Sequence, residues 1–195
     1  MKKFLIIFSL MGVYSTYLFG QNIDLRSAYS IVDLNGKLSI EKNHFEDLEF
    51  LIGKWQGVET GIPGNGIGFR TYDYDLNNNY IIEYNKSVFP KSKDKPIGEV
   101  HRDFGVISYN SNTSTVVLRQ FHVEGFTNIF ELSKKLSSKK KLVFITREIE
   151  NNPGKWKART MIEKISKREF IETFEIATDG KNYKPYLKNH WHKIR

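Results

Sequence analysis

The chain has 195 residues, 39% of them hydrophobic and none of them cysteine, with 30 Lys and Arg against 22 Asp and Glu for a net charge of +8. That is material for one domain with a sizeable core. The missing cysteines exclude disulfides, thiolate metal sites and cysteine nucleophiles together.

The chain opens "MKKFLIIFSLMGVYSTYLFGQ": two lysines, an apolar run, then small or turn-prone residues ending at Gly20. This three-part pattern predicts a secretory signal peptide over 1–21, cut near Gly20–Gln21. Its strongest apolar run, Phe4 to Val13, is too short for the roughly 20 residues that span a bilayer. A periplasmic or secreted protein with no integral membrane segment after cleavage is therefore expected. Loss of Lys2 and Lys3 leaves a mature charge of +6. The remaining lysines cluster in turn-like runs such as "KSKDK" (91–95) and "KKLSSKKK" (134–141), which read as solvated hairpin tips and not as a nucleic-acid surface.

Residues 22–43 are polar and mixed, an arm or linker ahead of a domain over 44–195. In "NHFEDLEFLIGKW" (43–55) Asn43 is placed to cap a short helix, with Phe45, Leu48 and Leu51 or Ile52 on one face. Gly53 ends that helix and Trp55 opens the first strand. From there strand-like runs alternate with turn signals such as "PGNG", "NNN", "NNPG" and "TDGKN". Strands are predicted at 54–60, 67–76, 79–89, 97–109, 114–124, 127–132, 141–149, 156–165, 168–177 and 186–194. About ten short sequential strands with tight connections predict an all-β fold. The expected form is a single antiparallel up-and-down barrel, whose closure removes exposed edges.

The run "TVVLRQFHVEGF" (115–126) carries polar groups on both of its faces. One face reads Val116, Leu118, Gln120, His122, Glu124 and the other Val117, Arg119, Phe121, Val123. A barrel wall between a part-polar pocket and solvent accounts for this, as does a solid core with Gln120 or His122 satisfied by neighbours. Candidate pocket walls are Tyr84, Phe121, Phe144, Trp156, Phe170 and Phe174. Candidate orienting groups are His101, Arg119, His122 and Glu172, with Arg119 or Arg159 as the partner a buried Glu172 needs. His101 and His122 fall on adjacent predicted strands. His190 and His192, at i and i+2, share a face, which reads either as half of a metal site or, beside the basic C-terminus "KNHWHKIR", as an exposed pair. "GIPGNGIG" (61–68) lacks the Lys-Ser/Thr and the following helix of a phosphate loop. No pattern specific to a catalytic acid–base pair or nucleophile appears, and no catalytic residue is assigned.

"FLIGKWQGVETGIP" resembles the opening of nitrobindin-type barrels, where a short hydrophobic helix leads into Gly-x-Trp-x-Gly. "KPIGEVHRDFGVISY" (95–109) resembles their strand with His101, Gly105 and Ile107 in matching places, Asp103 standing where that family has Glu. "LRQFHVEGF" lies where the family has a Gln-containing strand ending in Val-Glu-Gly. The chain is equally similar to exported bacterial calycin-like proteins of the DUF1579 type. The resemblance implies a ten-stranded calycin-like barrel related to fatty-acid-binding proteins and lipocalins. In nitrobindins it implies haem b, nitric oxide chemistry and peroxynitrite isomerisation. Carried over by position, His101 is the distal histidine, and Tyr186 takes the axial place with His190 a few residues on. A tyrosinate can ligate ferric haem. The leading expectation is a protein that binds one small, apolar or amphipathic molecule inside the barrel. The alternative is a haem protein acting on nitric oxide or peroxynitrite.

Overall fold

The computed structural model describes residues 43–93, 95–152 and 154–194. The expected signal peptide and nearly all of the arm lie outside the described residues. Ten strands follow a short 3-10 helix at Glu46–Leu51: β1 (Gly53–Gly61), β2 (Gly66–Asp75), β3 (Tyr80–Phe89), β4 (Glu99–Asn110), β5 (Thr115–His122), β6 (Thr127–Leu132), β7 (Lys141–Glu150), β8 (Lys157–Ser166), β9 (Glu169–Ala177) and β10 (Lys184–Lys193). Each pairs antiparallel with its neighbour in sequence, and β1 pairs with β10 to close the barrel. The expected all-β up-and-down barrel is the observed one. Every predicted strand ends within two residues of the observed bound. Among the described residues no helix is long and apolar enough to cross a membrane.

The N-terminal element differs from expectation in detail. Asn43 makes a local turn, its Oδ1 accepting from the Phe45 N–H at 2.9 Å, and the helix cap carries no side-chain hydrogen bond. The helix is 3-10, in which residues three apart eclipse. Phe45, Leu48 and Leu51 therefore lie in one row, and all three are buried. They close one end of the barrel, joined there by the indole N–H of Trp55, which donates to the Leu51 carbonyl at 2.6 Å. Above this plug the lower interior is apolar: Ile81, Ile107, Val116, Leu118, Phe130, Leu142, Phe144, Ile162 and Phe170.

One close approach shapes the floor of the upper half. Trp191 on β10 lies across from Gly57 on β1, which in turn pairs with Gly68 on β2. A Cβ on Gly57 would sit 2.7 Å from the indole Cε3, and one on Gly68 2.5 Å from Cη2. The two glycines form the slot that lets a fully buried tryptophan lie flat on the sheet.

Candidate functional site

Between the apolar plug and the open end, the interior turns polar. Its centre is Arg70 of β2, 6% exposed, whose guanidinium makes a set of side-chain contacts. One amino group donates to both oxygens of Glu172, at 3.0 and 2.9 Å, and to the Tyr72 hydroxyl at 3.1 Å. Nε donates to Asn85 Oδ1 at 3.0 Å and lies 3.3 Å from Glu83 Oε1. The cation also sits over the Trp191 ring, 4.5 Å from its centroid. Glu172 accepts in addition from the Trp191 indole N–H, the Asn189 amide and the Thr160 hydroxyl. Burial pushes the Glu172 carboxyl up, but Arg70 and these donors outweigh it, and it stays below its ordinary 4.5.

Beside this ion pair stand two more buried carboxylates. Burial raises Glu83 to about 7 despite Arg70, and it raises Glu59 against the Ser87 hydroxyl that donates to Oε1 at 2.9 Å. The floor therefore holds more acceptor capacity than donor. Glu59 Oε2, Asn189 Oδ1 and Asn128 Oδ1 make no hydrogen bond within the protein. Glu59 and Asn189 are cross-strand partners on β1 and β10.

Above the floor opens a cavity of about 630 Å³. One wall is charged. His101 and Asp103 share the inner face of β4, and His122 on β5 stands in register with Asp103. His101 Nε2 lies 2.9 Å from Asp103 Oδ1 and its Nδ1 lies 2.8 Å from Glu124 Oε1. His122 Nδ1 bonds the same Asp103 oxygen, while Asp103 Oδ2 accepts from the Asn85 amide at 3.1 Å. The hydrogen bond to Asp103, with Glu124 behind it, raises His101 to about 9 against the desolvation that opposes it. Burial alone would raise Asp103, but the two imidazoles hold it well below the carboxylate range. The remaining walls and mouth are largely apolar, with Phe89, Phe126, Trp156, Phe174, Tyr186 and Leu187 among them.

His101, His122, Trp156, Glu172 and Phe174 all line this cavity, and so does Tyr186. The other expected positions lie elsewhere. Arg119 and Phe121 face outward, because Val116, Leu118, Gln120 and His122 take the inner face of β5. Arg119 donates to Ser108 and Phe121 stacks on Phe104. Tyr84 joins them outside, 59% exposed. Phe144 and Phe170 belong to the apolar core below the polar floor. The partner of Glu172 is Arg70, not Arg119 or Arg159; Arg159 pairs with Glu175. His190 lies on the outer surface with His192 and Glu169.

Of the two haem ligands implied by the resemblance, His190 does not fit. His190 points out of the barrel to Glu169 at 2.6 Å. Tyr186 lines the cavity edge-on to Phe174, and its phenol is raised by burial and by Glu99, with Lys95 opposing. Among the described residues, the two cavity imidazoles are both tied to Asp103. Hemin added to the purified protein is expected to keep the broad absorbance of free hemin. A sharp Soret band surviving desalting would contradict this.

The titrating groups also give the fold an acid-side optimum. His101, raised from 6.5 to about 9, contributes its stabilisation in full below pH 6.5 and loses it as pH rises through 9. Asp103, depressed below 3.8, contributes above that value and loses it only in strong acid. Glu83, raised from 4.5 to about 7, opposes folding progressively as pH rises from 4.5 to 7. The urea midpoint should therefore peak near pH 4.5, fall as Glu83 ionises toward pH 7 and fall further as His101 loses its proton toward pH 9. Glu83→Gln should flatten the decline below pH 7. A midpoint still rising between pH 7 and 9 would contradict this assignment.

No protein-family model matches the chain, and no curated protein does. Among solved structures, Rv2717c from M. tuberculosis matches with a TM-score of 0.55 at 13% identity, over 78% of this chain and 98% of that one. A redesigned β-barrel matches at 10% identity and a TM-score of 0.41, over 75% and 94%. Likeness at such identities is likeness of fold. The chain is a ten-stranded antiparallel barrel of calycin-like fold, similar to distant barrel structures.

Proposed function

We propose that this protein binds one small amphipathic molecule inside the barrel, with its polar, hydrogen-bond-donating end on the floor and its apolar end at the mouth. The observation that carries the reading is the pair of unpartnered acceptors at the bottom of the cavity, Glu59 Oε2 and Asn189 Oδ1. Leaving a buried acceptor unsatisfied costs about 1–3 kcal/mol, more for a charged group. A ligand amine, ammonium or hydroxyl removes that cost. A carboxylate head would meet Glu59, Glu83 and Glu172 instead. The apolar residues at the mouth match the apolar body such ligands carry.

The nitrobindin-type reading, with haem and nitric oxide chemistry, is the weaker one, since His190 points away from the cavity to Glu169 and both cavity imidazoles are engaged by Asp103. Export to the periplasm or beyond, read from residues 1–21, would give the barrel a role in holding or carrying a molecule outside the cytoplasm. Nothing about the floor requires a reaction, and the reading is one of binding.

Two measurements test it. Protein purified gently and opened with organic solvent should release one small molecule per chain, detected by mass spectrometry against a solvent blank. Glu59→Gln should weaken an alkylamine about tenfold or more, the range of one charge-assisted hydrogen bond. The same variant should leave the ligand-free melting temperature unchanged or raised, because the carboxylate it removes is buried at a cost. Equal amine affinity in Glu59→Gln would refute the assigned orientation.

A further inference from the structure

We infer that His101, Asp103 and His122 form a binding site for one divalent transition-metal ion, of the Zn(II) or Fe(II) class, on the cavity wall. The ligating atoms His101 Nε2, Asp103 Oδ1 and His122 Nδ1 all lie within 4.8 Å of one another. Both imidazole nitrogens already meet Asp103 Oδ1, His101 Nε2 at 2.9 Å, and small side-chain rotations that open these contacts admit an ion at bond lengths of about 2.0–2.2 Å. Two imidazoles and one carboxylate with open positions are the donor set of zinc hydrolases and of non-haem iron sites.

The stronger argument is what holds each ligand from behind. A metal-bound histidine almost always gives its other ring N–H to a carboxylate or carbonyl, which fixes tautomer and orientation. His101 turns its remaining nitrogen to Glu124 at 2.8 Å. The remaining nitrogen of His122 faces Asn128 at 3.2 Å. Asn128 is 2% exposed, and its Oδ1 has no partner. Rotating that amide by half a turn gives the His122 Nε2–H its acceptor and satisfies the orphaned oxygen. Asp103 Oδ2 is fixed by Asn85, and the His122 ring is held flat against Phe126 at 4.2 Å. Each of the three ligands thus presents one atom to a common point and has the other engaged. An ion there replaces the protons now shared between the imidazoles and Asp103. Its open coordination positions face the cavity and a Lewis-basic group of whatever occupies it.

Geometry distinguishes this cluster from the second trio, Glu169, His190 and His192, which lies on the outer surface. There the His190 side chain is 46% exposed. The test is therefore run in a His190→Ala/His192→Ala background, by titrating Zn(II) calorimetrically and Co(II) by its visible d–d bands. One ion per chain is expected, with Co(II) bands showing imidazole coordination at fewer than six positions. Asp103→Asn and His122→Ala should each abolish saturable binding. Glu124→Gln, whose side chain is nearly half exposed at the rim, leaves the fold intact and should weaken binding roughly 10–100-fold. Loss of all binding in the His190/His192 background, or undiminished affinity in His122→Ala and Glu124→Gln, would overturn the site. The metal test uses no organic ligand. A chain that binds Zn(II) and no amine leaves this site standing and removes the proposed function, and the reverse result does the opposite.

Discussion

Arg70→Met is expected to destabilise the barrel by about 3–5 kcal/mol, the cost of removing one member of a buried ion pair. Glu172 would be left inside with only the Asn189, Thr160 and Trp191 donors, and Glu83 would lose its neighbouring cation. Against a typical total of about 5–15 kcal/mol, the variant would be marginally folded. Urea denaturation should show a lowered midpoint that recovers in acid, where the stranded carboxylates protonate. In a Glu172→Gln background the same substitution should cost less by about 0.5–3 kcal/mol, because the two residues act as one network. Equal costs in both backgrounds would mean that the pair contributes nothing as a pair.

Trp191→Ala should cost a similar amount, about 3–5 kcal/mol, for a different reason. The indole fills the slot over Gly57 and Gly68, stacks on Phe170 at 6.0 Å and supplies one hydrogen bond to Glu172. Trp191→Phe keeps most of the packing and loses the N–H, so its cost should fall to about 1–3 kcal/mol. From the other side, Gly68→Ala forces a methyl into the indole and should cost about 1–3 kcal/mol through overpacking. A double variant Gly68→Ala/Trp191→Phe should then lose less than the sum of the two single changes. Simple additivity would show that the slot is not shared.

These two residues also show how far the sequence could be read. The strand pattern was legible throughout, because most hairpins carry a Gly, Pro, Asn or Asp signal, and the β6–β7 and β8–β9 turns are marked instead by Ser, Lys and Arg. The inner face was not. On β2 the apolar residues Ile67 and Phe69 suggest a core face, yet they are 47% and 42% exposed. Gly68, Arg70 and Tyr72 face inward instead. The inward glycine exists for Trp191, more than a hundred residues away, and strand periodicity holds no record of such a partner. Glu172 was legible as inward from its place between Phe170 and Phe174. Its partner was not: Arg119 and Arg159 were the expected candidates, and only the closed barrel brings Arg70 to it. On β5 the expected pocket drew Arg119 and Phe121 from one face and His122 from the other, and only the face of Gln120 and His122 lines the cavity. His101 and His122 were legible as a pair from adjacent strands. Asp103 between them was read only as a departure from a family pattern, and its role as their common anchor needed the register.

The unpartnered acceptors on the cavity floor call for the donor head of an amphipathic molecule. The most direct test is a matched series, decylamine, decanol and decanoate, titrated into the purified protein by isothermal calorimetry under one buffer. Decylamine and decanol should bind at one per chain, decylamine more tightly, and decanoate should bind weakly or not at all. Decanoate binding as tightly as decylamine, or no saturable binding by any of the three, would contradict it.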